Sequence, residues 1–317
     1  MKYWCILLLF FSLSTKAGEF DYYNDSSIYP QQQVTLSTGT GNLIGSLMRP
    51  INDETKAIVL IIAGSGPTDR DGNNTFMKND CLLQLAEGLA ANGIASVRYD
   101  KRGIAASAAA MTKEEDLRFD TYIDDAKEWL LWIRKELYYR TIIVAGHSEG
   151  SLIGMIAAKG LADKYISLAG AGEPIGNTLK RQLQKQVPNM MNRCNSIIDS
   201  LNQGIPISNP PKVLMSLFRP SVQPYLISWL KYNPQQEIKK LRMPVMIVQG
   251  NKDLQVNVDD ARMLQDAKPN AAFILVEDMN HVFKTVTNDQ DNYKSYGEPM
   301  RPISAELVTA ISSFIRQ

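Results

Sequence analysis

A chain of 317 residues with 44% hydrophobic and 21% charged side chains can bury one large core, and one domain carrying an insertion suits that length. With 34 basic against 33 acidic residues, nothing calls for nucleic acid or an anionic membrane surface as a partner. Two histidines and three cysteines, none of them in metal-ligand spacing, give no reason to expect a metal or another cofactor.

Residues 1–17 carry Lys2, an apolar run from Tyr3 to Leu13 and Thr15-Lys16-Ala17 before Gly18, the pattern of a secretory signal cut after Ala17. The apolar run is short against the roughly 20 residues of a membrane span, so the segment reads as cleaved, with no stable membrane insertion of the mature chain. The protein is therefore expected to be exported, either periplasmic or secreted. Cys5 leaves with the signal. Cys81 and Cys194 remain in a chain bound for an oxidising compartment, and nothing in the sequence says whether they lie close enough to pair.

Two short alternating stretches, Gln33 to Ser37 and Asn42 to Met48, flank Thr38-Gly39-Thr40-Gly41 and predict a hairpin. Lys56 to Ala63 is a continuous apolar run of strand length, as expected of a strand buried on both faces in a parallel sheet. It stops at the loop Gly64-Ser65-Gly66-Pro67. A helix is expected from near Asp80 to Asn92-Gly93, with Leu82, Leu83, Leu85, Ala86 and Leu89 on its apolar face. Ile94 to Tyr99 predicts a strand closed by Asp100-Lys101-Arg102-Gly103, and Phe119 to Leu137 a helix leading back to the sheet.

From Thr141 an apolar, β-branched run ends in Gly146-His147-Ser148-Glu149-Gly150 and passes directly into a helical stretch. This is a strand, a sharp turn and a helix with a serine at the apex, the context of a nucleophile elbow. A turn that tight presses the strand end against the helix start, which leaves no room for a side chain at either glycine, and glycine also accepts positive φ. A short strand follows at Tyr165 to Leu168. Residues 173–241 then turn rich in Gln, Asn, Pro and Lys without a strand, too long for a connection, and read as a helical cap inserted into an α/β core of 18–172 and 242–317. The sheet resumes at Met243 to Gln249 and ends at Ala272 to Val276, with a helix between them near Asn257 to Ala267 and a closing helix over Ile303 to Ile315. The order of elements predicts an α/β fold with a mainly parallel sheet and an antiparallel start.

A serine hydroxyl attacks only when a base takes its proton, and the base needs a carboxylate to fix its tautomer. His147 shares the turn with Ser148, where neighbouring side chains diverge, so the base falls to His281 in the loop after the last strand. For the acid, Asp253 stands just past a strand end and gives the order Ser, Asp, His expected with this elbow. Glu173 and Asp278 are its rivals. The developing oxyanion needs backbone donors, one from Glu149 and a second from the Gly64–Pro67 loop, with Ser65 the leading candidate.

GHSEG with Asp253 and His281 in order, AGSGPTDRDGN at Ala63 to Asn73 and RYDKRG at Arg98 to Gly103 together resemble the α/β-hydrolase superfamily, specifically bacterial serine esterases and serine aminopeptidase-like hydrolases. The resemblance implies an α/β-hydrolase fold over the mature chain outside the insertion, and the oxyanion role for Ser65. It departs at Gly103-Ile104-Ala105-Ala106-Ser107, where relatives carry G-x-G-x-S, which touches the shape of that loop. Asp69, Arg70, Asp71, Asp100 and Arg102 read as loop-ordering ion pairs, with substrate contact as the alternative.

The expected function is cleavage of carboxylic esters through an acyl-serine, the partner being a small acyl ester. A serine peptidase acting on short peptides or a thioesterase is the alternative on the same site, with Glu173 and Glu149 the carboxylates available to hold an α-amino group. A non-catalytic binding protein on the fold is disfavoured because all three members of the constellation are present, and dehalogenase chemistry wants a carboxylate where Ser148 stands. The Met, Leu, Phe and Trp side chains of the cap either line an acyl site or form the cap's own core.

Overall fold

The computed structural model describes residues 29–52 and 56–317. The expected signal segment and Cys5 lie outside the described residues. Eight strands form one sheet: β1 (Gln31–Thr38), β2 (Gly41–Met48), β3 (Ala57–Ile62), β4 (Ala95–Tyr99), β5 (Thr141–His147), β6 (Lys164–Leu168), β7 (Val245–Gly250) and β8 (Ala272–Val276). Their order across the sheet is β1-β2-β4-β3-β5-β6-β7-β8. The hairpin β1–β2 pairs antiparallel to β4, and every pair from β4 to β8 is parallel.

The central strands are buried because helices cover both faces, which is why β3 and β5 read as unbroken apolar runs. Helices α1 (Cys81–Ala91) and α11 (Ala305–Arg316) pack on one face with Leu85, Leu89, Leu307 and Ile311. Helices α2 (Phe119–Glu136), α3 (Glu149–Ala157) and α9 (Val258–Ala267) pack on the other with Trp129, Ile153 and Leu264. Between β6 and β7 the chain forms α4 (Ile175–Gln186), α5 (Met191–Asn202), α6 (Met215–Phe218), α7 (Gln223–Trp229) and α8 (Pro234–Lys239), with no strand among the described residues there. This cap continues the second core: Phe119 of α2 stacks on Trp229 of α7 at 5.2 Å and 4°.

The helix α10 (Asp289–Ser295) has no apolar period and was not expected from the sequence; Asn288 caps it by accepting from the Asp291 N–H at 3.0 Å. Cys81 and Cys194 are both buried free thiols, in the cores on opposite faces of the sheet.

The chain runs from β3 outward to β4, then crosses back over β3 to β5. That reversal of direction opens a crevice beyond the carboxyl ends of β3 and β5, where open α/β sheets hold their ligands. Gly64 follows β3 and Ser148 follows β5, so both expected site loops leave the sheet at this point.

Candidate active site

Ser148 sits between β5 and α3 at φ 55° and ψ −118°, a conformation that costs on the order of 1–3 kcal/mol for a non-glycine residue. The positive φ at the elbow thus belongs to the serine. The two glycines serve space alone: a Cβ on Gly146 would lie 2.1 Å from the Gly150 carbonyl oxygen, and one on Gly150 2.4 Å from that of Ile62. The Ser148 N–H donates to the Leu168 carbonyl at 2.9 Å, which ties the elbow to β6.

Asp253 and His281 come together from the loops after β7 and β8. His281 Nδ1 donates to Asp253 Oδ2 at 2.8 Å, with both side chains at most 5% exposed. The same oxygen accepts from Gln249 Nε2 at 3.0 Å, while Oδ1 accepts the Gln255 and Val256 N–H groups at 2.7 and 2.9 Å. Four donors leave the carboxylate no freedom to rotate, and a proton on Nδ1 leaves the Nε2 lone pair of His281 free to act as a base. The rivals are engaged elsewhere: Glu173 bonds Arg181, and Asp278 lies 3.8 Å from Lys252 at the surface.

His147 has a structural position that the sequence did not reveal. Its Nε2–H donates to the His281 carbonyl at 2.9 Å, the two rings pack at 4.7 Å, and Phe283 meets the His147 ring edge-on at 4.9 Å. Burial foremost, and the neighbouring His281 after it, hold His147 well below the ordinary histidine range, so it is a neutral brace for the His281 loop. Asn280 is a second brace: its amide bonds Asn292 and Ser295 of α10, and its Oδ1 accepts the Val282 and Lys284 N–H groups. The His281 ring therefore adjoins the elbow through His147. The Ser148 hydroxyl itself has no hydrogen bond to any described residue, a contact that sites of this kind often complete only with substrate bound.

Ser65, Ser148 and Glu149 open on one small pocket of about 50 Å³, whose walls include Leu152, Ile175, Trp229 and Val256. Among the described residues, neither the Ser65 nor the Glu149 N–H is given to another acceptor, and the second is one of the free donors at the start of α3. The Glu149 side chain points away from the pocket mouth into a buried network with Tyr225 of the cap and Lys101, whose Nζ lies 3.6 Å from Oε2.

The charged loop residues order the two loops around this pocket. Asp69 accepts the Asp71 and Asn73 N–H groups, each at 2.9 Å. Arg70 pairs with Asp100 at 3.0 Å, Asp71 with Arg98 at 2.9 Å, and Arg102 with Asp125. Among them, Asp69, Arg70, Asp71, Asp100 and Arg102 are absent from the pocket walls. No group of three or more His, Cys, Asp or Glu residues among the described residues is arranged to hold a metal ion, and no helix among them is long and apolar enough to cross a membrane.

Comparison with known proteins finds similarity to hydrolases. A family model described as serine aminopeptidase, S33, matches residues 78–210. Esterase EstD of Thermotoga maritima is 24% identical over 291 residues, 86% of this chain and 65% of that protein, so the chain spans about two thirds of the length of this curated relative. Among solved structures, the esterase Pf2001 of Pyrococcus furiosus superposes with a TM-score of 0.61 at 15% identity, covering 94% of each chain. Est1E of Butyrivibrio proteoclasticus does so with a TM-score of 0.55 at 15% identity, over 90% of this chain and 96% of its own.

Proposed function

We propose, from its α/β-hydrolase fold and its similarity to esterases, that the chain is a serine hydrolase cleaving carboxylic esters through an acyl-serine. Ser148 Oγ attacks the ester carbonyl while His281 Nε2 takes its proton, and Asp253 holds the imidazolium that forms. The oxyanion is met by the Ser65 and Glu149 N–H groups, each such donor being worth about 10² to 10³ in rate. His281 then returns the proton to the leaving alkoxide, and a water repeats the sequence to release the acid. The observation that carries this reading is the Asp253–His281 pair, held at 2.8 Å by an aspartate with four donors, in a fold that also strains Ser148 into the elbow conformation.

The apolar walls Leu152, Ile175 and Trp229 of the pocket suit the acyl part of an ester. The relatives whose names say esterase support the same bond type. The family description as an aminopeptidase supports a second reading, cleavage of peptides from a free amino end. Its carboxylates are the weak point: Glu149 is engaged by Lys101 and Tyr225, and Glu173, which lines the pocket, already pairs with Arg181. A series of p-nitrophenyl esters from acetate to octanoate, run beside aminoacyl p-nitroanilides, separates the two. Turnover of the esters alone supports the esterase, and turnover of the anilides alone assigns a peptidase.

Export belongs to the same proposal, resting on Lys2 and the apolar run before Ala17. N-terminal sequencing of the protein recovered outside the cytoplasm should begin at or near Gly18; recovery of the full chain from the cytoplasm alone would refute it.

A further inference from the structure

Lys101 has its side chain only 1% exposed, although it stands in a loop at the strand end after β4, where a lysine would ordinarily reach solvent. Its Nζ donates to the Gly64 carbonyl at 2.6 Å. That carbonyl belongs to the peptide unit whose N–H is the Ser65 N–H. In a trans peptide the C=O and N–H point in opposite directions, so whatever holds the oxygen also aims the hydrogen. The ammonium holds the oxygen end of this unit, which fixes the direction of the N–H on the opposite side, that of Ser65, a residue of the pocket wall.

The second partner of Nζ is Glu149 Oε2 at 3.6 Å, on the residue that supplies the other candidate oxyanion donor. Glu149 Oε1 is held in turn by the Tyr225 hydroxyl, and the Tyr122 ring lies 4.9 Å from Nζ. One buried cation thus contacts both donor residues, one through its peptide carbonyl and one through its side chain. A carbonyl bonded to a cation at low dielectric also polarises its peptide, which makes the N–H on the far side a stronger donor. The loop has little slack, since a Cβ built on Gly64 would sit 3.2 Å from the Cβ of Ser148. Burial pulls the Lys101 ammonium below the ordinary lysine range, while Glu149 pushes it back up.

We propose that Lys101 is a positioning residue of the oxyanion hole, fixing and polarising the Gly64–Ser65 peptide so that the Ser65 N–H meets the developing charge. An ion pair kept only for stability would be drawn to its carboxylate, yet the shorter contact is to the carbonyl. The inference rests on the ester-hydrolase reading for its kinetic consequence, and on the geometry alone for the state of the Ser65 amide.

The test uses the purified chain with Lys101→Met, and with Lys101→Met combined with Glu149→Gln so that no unpaired carboxylate stays buried. Steady-state hydrolysis of p-nitrophenyl acetate should show kcat lower by about 10² to 10³ in both variants, with KM within about threefold of the parent. The Ser65 amide proton in a ¹H–¹⁵N correlation spectrum should move upfield in both. Melting temperature should recover in the double variant while kcat stays low. A folded variant with kcat within about threefold of the parent, a Ser65 amide that does not move, or a kcat restored along with melting temperature would each overturn the proposal. If the parent turns over no ester and Ser148 takes no label, the hydrolase reading fails by itself, and the Ser65 resonance still decides whether Lys101 controls that peptide.

Discussion

Replacing Asp253 by asparagine removes one charge and one acceptor from a carboxylate that takes four hydrogen bonds. The Oδ1 side survives, since an amide oxygen still accepts the Gln255 and Val256 N–H groups. On the Oδ2 side an NH₂ group now meets Gln249 Nε2 and His281 Nδ1. Gln249 keeps its bond to the Val256 carbonyl at 2.9 Å, so the greater consequence falls on His281. The imidazole is driven to the tautomer with its proton on Nε2, where it cannot accept from Ser148. A change of this kind costs about 10⁴ in kcat for a Ser-His-Asp constellation. The lost charge-assisted bond is worth roughly 1.5–3 kcal/mol, so the variant should melt several degrees lower and remain folded at 25 °C. Initial rates on p-nitrophenyl acetate together with calorimetry read both effects. A folded Asp253→Asn variant with kcat within tenfold of the parent would refute the reasoning and return the role to Glu173 or Asp278.

Gly146→Ala forces a Cβ to 2.1 Å from the rigid Gly150 carbonyl, so it should lower the unfolding free energy by about 1–3 kcal/mol or more and displace Ser148, measurable by denaturant titration; an unchanged midpoint would contradict the packing at the elbow. Burial pushes the Asp69 carboxyl up to about 7, so the folded protein holds a proton there that the unfolded chain loses near pH 4. The resulting stability is complete below about pH 4 and is lost as pH rises through about 7. Asp69→Asn keeps both accepted N–H groups without ionising, and its melting temperature relative to the parent should therefore climb between pH 4 and 8; a constant difference would argue against a buried neutral carboxyl. Cys81 and Cys194 lie on opposite faces of the sheet, and burial pushes the Cys81 thiol up to about 12. Both should react with a thiol reagent only after denaturation, and an intramolecular disulfide found by mass spectrometry would contradict this.

Much of the fold was legible because its signals are local. β3 and β5 are unbroken apolar runs, as strands covered on both faces must be, and the glycines at 146 and 150 mark a turn that nothing larger fits. The pairing of His281 with Asp253 followed from the scarcity of histidine and the order of the chain. What escaped notice is set by contacts between distant segments. Lys101 looks like a solvated loop charge until β3 is laid beside β4 and the Gly64 carbonyl comes within 2.6 Å. His147 was set aside as a base because it shares the turn with Ser148, yet its bond to the His281 carbonyl spans 134 residues and leaves no trace in spacing. Asn280 and α10 form a second support for the same loop, and α10 has no apolar stripe to announce it. In the cap, helical spacing of Leu and Met was visible, but the stacking of Trp229 on Phe119 shows that part of that apolar surface serves the core while Trp229 also walls the pocket.

The central claim is that Ser148 is the nucleophile. Incubation with a fluorophosphonate, followed by intact mass and peptide mapping, tests it most directly. One phosphonyl group on the peptide containing Ser148, abolished in Ser148→Ala and strongly slowed in His281→Ala, is the predicted result. An unlabelled protein, or a label on any other serine, would contradict it.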